Sequence, residues 1–159
     1  MRYNEAGEQR MFLDGEDVSE AIRMPEISIC ASDVSSLPAV RSFLLEMQRK
    51  LAREHNVVMD GRDIGTTVFP HAELKIFVTA SAETRAQRRV DELRAKGIDV
   101  DFDEVVANIN KRDHIDQTRK ESPLRKADDA IELDNSHMTI AEQDAWLMTR
   151  YRETVDKLR

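Results

Sequence analysis

The chain has 159 residues, enough for one domain with a proper core and too few for two comfortable ones. Apolar residues make up 40% and charged residues 35%, a soluble globular balance, and no apolar run approaches the ~20 residues a bilayer span needs. A net charge of −7 disfavours non-specific binding to a polyanion such as DNA, so phosphate recognition has to come from local arginines.

MRYNEAGEQR at the N-terminus has no apolar signal-peptide core. The single Cys30 cannot form an internal disulfide, which fits a reducing cytoplasm and a plain buried thiol. Arg10-Met11-Phe12-Leu13 reads as a strand between a turn at Gly7 and one at Asp14-Gly15. Ser19 then reads as the N-cap of a short helix ending at Arg23, with Pro25 preventing its continuation.

The spacing predicts a helix from about Ser35 or Ser36 to about Arg53, with Pro38 in its first turn. Val40, Leu44, Met47 and Leu51 form one apolar stripe on it, suited to packing on a sheet. Arg41 lies beside that stripe, and the helix pattern alone makes it a solvated charge.

Asn56–Val68, NVVMDGRDIGTTV, is the most informative stretch. Val57, Val58 and Met59 read as a short buried strand that runs into Asp60-Gly61-Arg62-Asp63. In open α/β sheets ligands collect beyond the carboxyl ends of strands, so this turn offers acceptors and a planar cation where a small polar ligand would sit. A charged surface turn is the bland reading of the same four residues.

Leu74–Thr79 reads as a second buried strand. Ser81 caps a helix from Ala82 to Lys96, with Gly97 at its stop. Ala82, Ala86, Val90 and Leu93 form the inner face of that helix. Arg85, Arg88 and Arg89 cluster on neighbouring turns, where a solvated face is the default. A further helix is expected from about Asp103 to Lys120. Phe102, Val105 and Ile109 open a stripe on it that the same steps continue as Arg112, Asp116 and Arg119. That face begins apolar and ends Arg–Asp–Arg; it emerges into solvent or faces a cleft that holds an anion. Ala130–Asp134 is a third, more exposed strand. Thr139 and Glu142 form a capping box at the start of the last helix.

Strands alternating with helices argue for α/β with a mostly parallel sheet. Arg interleaved with Asp suits a nucleotide: guanidinium forks match phosphate, and carboxylates accept from hydroxyls and amines, including the amine of cytosine. His55, His71, His114 and His137 are scattered, so no metal site is expected. No serine nucleophile elbow occurs, and no G-x-x-x-x-G-K-[ST] loop occurs either.

FLDGEDVSEAIR, ASDVSSLPAVRSFLLEMQR, MDGRDIGTTVFPHAELKIFVTAS, the ETRAQRR helix and INKRDHIDQTRKESPL, in this order, carry a resemblance. The chain resembles the bacterial cytidylate kinases, a family of P-loop nucleoside monophosphate kinases, over essentially all its residues but only the family's last two thirds or so. The resemblance implies an incomplete P-loop kinase fold: three buried strands of a mostly parallel sheet flanked by helices, plus a remnant of the small β monophosphate-binding insertion. Residues 1–30 would be that remnant. Residues 31–159 would be the C-terminal part of the kinase core, with the lid region near 85–120.

By the same resemblance Ser32, Arg41 and Asp63 recognise cytosine, and Arg112 and Asp116 hold the sugar and its neighbouring groups. Arg62 and Arg119 are directed at phosphate, so Arg62, Arg112 and Arg119 are the catalytic candidates. Arg88 is the ATP-side contact. For Arg41 and for the Arg112–Asp116–Arg119 face the resemblance favours a ligand role over a solvated one.

The implied activity is transfer of the γ-phosphoryl of ATP, with Mg2+, to CMP or dCMP. Family members place a strand, the P-loop, a helix and a second strand ahead of the position of Met1, so the main ATP and Mg2+ site is missing from these residues. The alternatives left open are a fragment that binds CMP weakly without using ATP, and a structural remnant. The missing first strand would lie between Val57–Asp60 and Leu74–Thr79, and its absence implies a homodimer or higher oligomer that covers exposed strand edges. Neither nucleic acid nor membrane is an expected partner.

Overall fold

The computed structural model describes residues 2–23, 27, 30, 31, 34 and 37–159. The chain divides into two compact units, Met1–His55 and Asn56–Arg159.

In the first unit, β1 (Arg2–Tyr3) pairs antiparallel with β2 (Gln9–Arg10), and β3 (Phe12–Leu13) pairs antiparallel with β4 (Glu16–Asp17). Gly7 (φ 78°) and Gly15 (φ 91°) supply the left-handed residues these tight reversals require. Ser19 does not cap a helix as expected. It is buried, accepts from Met11 N at 2.8 Å and donates to Asp17 Oδ1 at 2.6 Å, so its hydroxyl fastens the hairpin. A 3-10 turn, Ala21–Arg23, follows it.

Helix α1 (Pro38–Glu54) has Pro38 in its first turn and no side-chain cap at Leu37. The expected cap at Ser35 or Ser36 and the break at Pro25 lie outside the described residues. No residue of α1 is buried; Leu44, Met47 and Leu51 of the expected packing stripe are all exposed.

In the second unit the first expected strand does not form. Val57–Asp60 is not a strand: none of its backbone groups is hydrogen bonded among the described residues, and Val58 is 102% exposed. An apolar β-branched run becomes a strand only when a neighbour pairs with its N–H and C=O groups. Among the described residues the parallel sheet therefore has two strands rather than three, β5 (Ile76–Thr79) and β6 (Ile131–Asp134), in register from Ile76–Ile131 to Thr79–Asp134. Neither strand is buried throughout; only Leu133 falls in the core.

Helix α2 (Ala82–Ala95) begins as expected, with Ser81 Oγ accepting from Thr84 N at 3.1 Å, and ends before Gly97 at φ 76°. Ala86 and Val90 on its inner face are fully buried. It packs on α3 (Phe102–Thr118), whose cap is Asp101 accepting from Glu104 N at 2.9 Å. Helix α4 (Ile140–Lys157) opens with the complete Thr139–Glu142 capping box. The second unit is thus a mixed α/β arrangement around a small core of Val68, Ala86, Val90 and Leu133.

Candidate functional site

The site begins at the turn after Asp60. Residues Ile64–Val68 wind as a single π turn in which Asp63 O accepts from Thr67 N (2.8 Å) and Val68 N (3.2 Å), while Ile64 O accepts from Phe69 N (2.7 Å). Such wide turns widen a backbone locally and recur at functional positions. Here buried Val68 anchors the far end, and Arg62 and Asp63 are held at the near one.

Beneath this turn sits a group the expected strand at Leu74–Thr79 obscured. Lys75 precedes β5, and its side chain is only 6% exposed. Its Nζ donates to both oxygens of Asp129, at 2.8 and 2.7 Å, and to Pro70 O. The ammonium ties the end of the π turn to the loop that feeds β6, and it holds the Asp129 carboxyl below the usual carboxylate range. A lone Lys inside an apolar strand pattern was the available signal for this role.

Arg62 reaches α3: its Nε donates to Asp116 Oδ2 at 3.1 Å. The Asp116 side chain is 13% exposed and that of Arg62 45%, so the carboxylate lies inside and the guanidinium at the rim. The two Nη groups of Arg62 make no further hydrogen bond among the described residues. Arg119 Nη1 lies 3.7 Å from the other oxygen of Asp116, and its Nε donates to Ser122 O at 2.8 Å. Its Nη2 is buried and has no hydrogen-bond partner in the described structure. Two guanidiniums thus converge on one carboxylate and keep spare donors, an arrangement suited to a phosphate or another oxyanion.

The helix carrying Asp116 is shorter than expected. It ends at Thr118, and Arg119 is the C-cap, with ψ 142° turning the chain out of the helix. Arg119 therefore joins Asp116 through the departing loop rather than along a continuous helical face. Leu124 N donates to Asp116 O at 2.7 Å and folds that loop back. Arg112 is exposed on α3, with no side-chain partner among the described residues.

A second set of contacts gathers at the carboxyl ends of β5 and β6. Arg85 Nε donates to Ala80 O at 3.1 Å, while its Nη1 and Nη2 donate to the two oxygens of Asp113 at 3.0 and 2.6 Å. Arg88 donates to Asn135 Oδ1 at 3.1 Å and to Asn135 O at 2.7 Å. Asn135 N continues the sheet by donating to Thr79 O at 2.9 Å, and Ser81 N donates to Ser136 Oγ at 3.0 Å. Asp113 escaped the sequence reading because it lies off the stripe, and Arg85 because a run of arginines on a helix looks solvated.

Of the sequence-predicted residues, the structure brings Arg62, Asp116 and Arg119 together. Asp63 is half-buried beside Arg62 in the chain, and Arg88 stands with Asn135. Arg41 is half-buried in the first turn of α1, in the other unit. Ser32 lies outside the described residues. Among the described residues no group of three or more His, Cys, Asp or Glu side chains is placed to hold a metal ion.

Parallel strands with interlocked arginines and a carboxylate at their carboxyl ends define a mixed α/β protein, and in open sheets that end is where ligands collect. A sequence model of one family, cytidylate kinase, matches residues 1–152. The cytidylate kinase of Bacteroides fragilis is 56% identical over 151 residues, 95% of this chain and 66% of its own length. That of Parabacteroides distasonis is 54% identical over 151 residues, with the same shares. That of Caldicellulosiruptor bescii is 56% identical over 136 residues, 86% of this chain and 60% of its own length. The chain belongs to the cytidylate kinase family, and it spans just under two thirds of the length of these relatives.

Proposed function

We propose that these residues form the acceptor side of a phosphotransferase that moves the γ-phosphoryl of ATP to CMP or dCMP. Family membership supports the substrate class. The single observation that carries the site is the convergence of Arg62 and Arg119 on Asp116 with donors to spare.

In this reading Asp63 and Ser32 accept from the exocyclic amine of cytosine and Arg41 donates to the ring acceptors. Arg112 and Asp116 hold the sugar and its neighbouring groups. Arg62 and Arg119 stabilise charge on the phosphate, which is the main protein contribution to phosphoryl transfer. Arg88 is the contact on the ATP side. Mg2+ with ATP belongs to the family chemistry, and among the described residues no cluster of carboxylates fits the ion. Residues 1–30 are read as part of the monophosphate-binding insertion and 31–159 as kinase core, with the lid near 85–120. The reading places the protein in the cytoplasm; among the described residues no helix is long and apolar enough to cross a membrane. The exposed apolar side chains of α1, Phe43 and Met47 among them, support self-association as a homodimer or higher oligomer, which sedimentation velocity checks.

Calorimetry with CMP, UMP and AMP tests the site. CMP should bind best, and Asp63→Ala should erase the preference of CMP over UMP; an unchanged preference removes Asp63 from the site. A second reading is CMP binding without turnover. A coupled ADP-release assay separates the two, since turnover by this chain at ordinary kinase rates sinks the second.

A further inference from the structure

We propose that Arg85 is a positioning residue: by clamping Asp113 to the carboxyl end of β5, it holds the C-terminal half of α3 so that Asp116 meets Arg62. The proposal rests on the acceptor-site reading only where it concerns CMP.

That half of α3, Asn110–Thr118, has a single apolar residue, Ile115, and it is exposed. Burial therefore cannot fix its orientation, and the remaining restraints are polar. Asp113 and Asp116 lie three residues apart, on adjoining positions one turn apart. Each takes a guanidinium from a different element: Asp113 from Arg85 in the first turn of α2, Asp116 from Arg62 in the turn before the π segment.

Arg85 is the better-braced of the two. Three of its N–H groups are committed in one plane, two to Asp113 and one to Ala80 O, the carbonyl that directly follows β5. Ala86, its neighbour in α2, is fully buried, so the base of the fork cannot drift. The side chains of Arg85 and Asp113 are 36% and 31% exposed, which removes them from the fully solvated pairs that contribute nothing measurable. A bidentate fork also defines direction, which an ammonium in the same place cannot do. Beyond the packing of α3 on α2, the clamp therefore restrains the rotation of this half of α3 about the helix axis, and with it the direction in which Asp116 leaves the helix. Arg112, next to Asp113, is carried by the same rotation.

The test uses the full chain labelled with 15N and follows the Arg62 Nε–H resonance without ligand. Asp113→Asn and Arg85→Ala should each move that resonance toward free guanidinium and speed its exchange with water. The double variant should do no more than either single one, because both remove one interaction. Arg85→Lys should keep charge yet fail to restore the resonance. Arg89→Ala, on the same helix but paired with Glu92, should leave it unchanged. An Arg62 Nε–H signal unaffected in folded Asp113→Asn overturns the proposal, and that near-isosteric variant covers the case in which Arg85→Ala does not fold. CMP titration adds the ligand arm: affinity roughly tenfold weaker in Asp113→Asn, with the preference for CMP over UMP intact, supports positioning. If the unaltered chain does not bind CMP, the acceptor-site reading and the ligand arm fall together, while the Arg62 resonance still decides the clamp.

Discussion

Arg62 Nε and Asp116 Oδ2 lie 3.1 Å apart although 54 positions separate them in the chain. The contact joins a turn whose path is set by a π segment to a helix whose polar half has no core of its own. With the carboxylate 13% exposed, removing its partner leaves a charge that water compensates only in part. Arg62→Ala should therefore destabilise the second unit by about 1–2 kcal/mol, more than an exposed pair would. Urea denaturation measures this; a loss under about 0.3 kcal/mol would mean that the pair is solvated in solution.

Lys75 makes a stronger claim. Its ammonium is nearly enclosed and bonded to Asp129 and to the Pro70 carbonyl. Asp129→Ala strands that charge with a single carbonyl and should lower the melting temperature by clearly more than Glu92→Ala does. Glu92→Ala, which breaks exposed pairs with Arg89 and Lys96, should cost about 0.5 kcal/mol or less. Equal thermal shifts for the two variants would show that water reaches Lys75.

The first unit carries a pH signature. Asp17 is held down at about 2 by the Ser19 hydroxyl first, then by the Ser19 backbone N–H and by Arg10. A carboxyl depressed in the folded state adds stability above its unfolded value near 4, and that contribution is lost as pH falls toward 2. Carboxyl NMR titration should place the Asp17 midpoint near 2 and move it upward in Ser19→Ala. The same substitution strands Met11 N–H, which should open the hairpin to amide exchange even at neutral pH.

At the other end of the chain, Thr139 and Glu142 satisfy each other's backbone donors at the start of α4. Thr139→Ala should destabilise by about 1 kcal/mol, and Thr139→Ser should recover most of it. The Glu142 carboxyl, lowered chiefly by the Thr139 backbone N–H, should titrate closer to the ordinary Glu range in a Thr139→Pro variant, which has no N–H to give.

Much of the secondary structure was legible because its causes are local. Ser81, Gly97 and Thr139 act within four residues, and the inner face Ala86–Val90 follows from helical period alone. The misread elements each depended on something farther away. Val57–Asp60 has the composition of a strand but no partner, Ser19 serves a hairpin eight residues upstream, and Arg119 leaves the helix whose stripe it appeared to extend. In the site, Arg62, Asp116 and Arg119 could be named from residue type and family likeness, whereas Asp113 carried no periodic signal and Lys75 only its place as a lone charge in an apolar run.

Sequence alone determined the family, the starts of α2 and α4 and the kinds of chemical group available, because composition, caps and motif order need no knowledge of distant neighbours. Tertiary structure decided which cation meets which carboxylate: Arg62 with Asp116, Arg85 with Asp113, Lys75 with Asp129. An ion pair depends on distance in space and on how far water is excluded, and neither can be read from separations of 54, 28 and 54 positions along a chain.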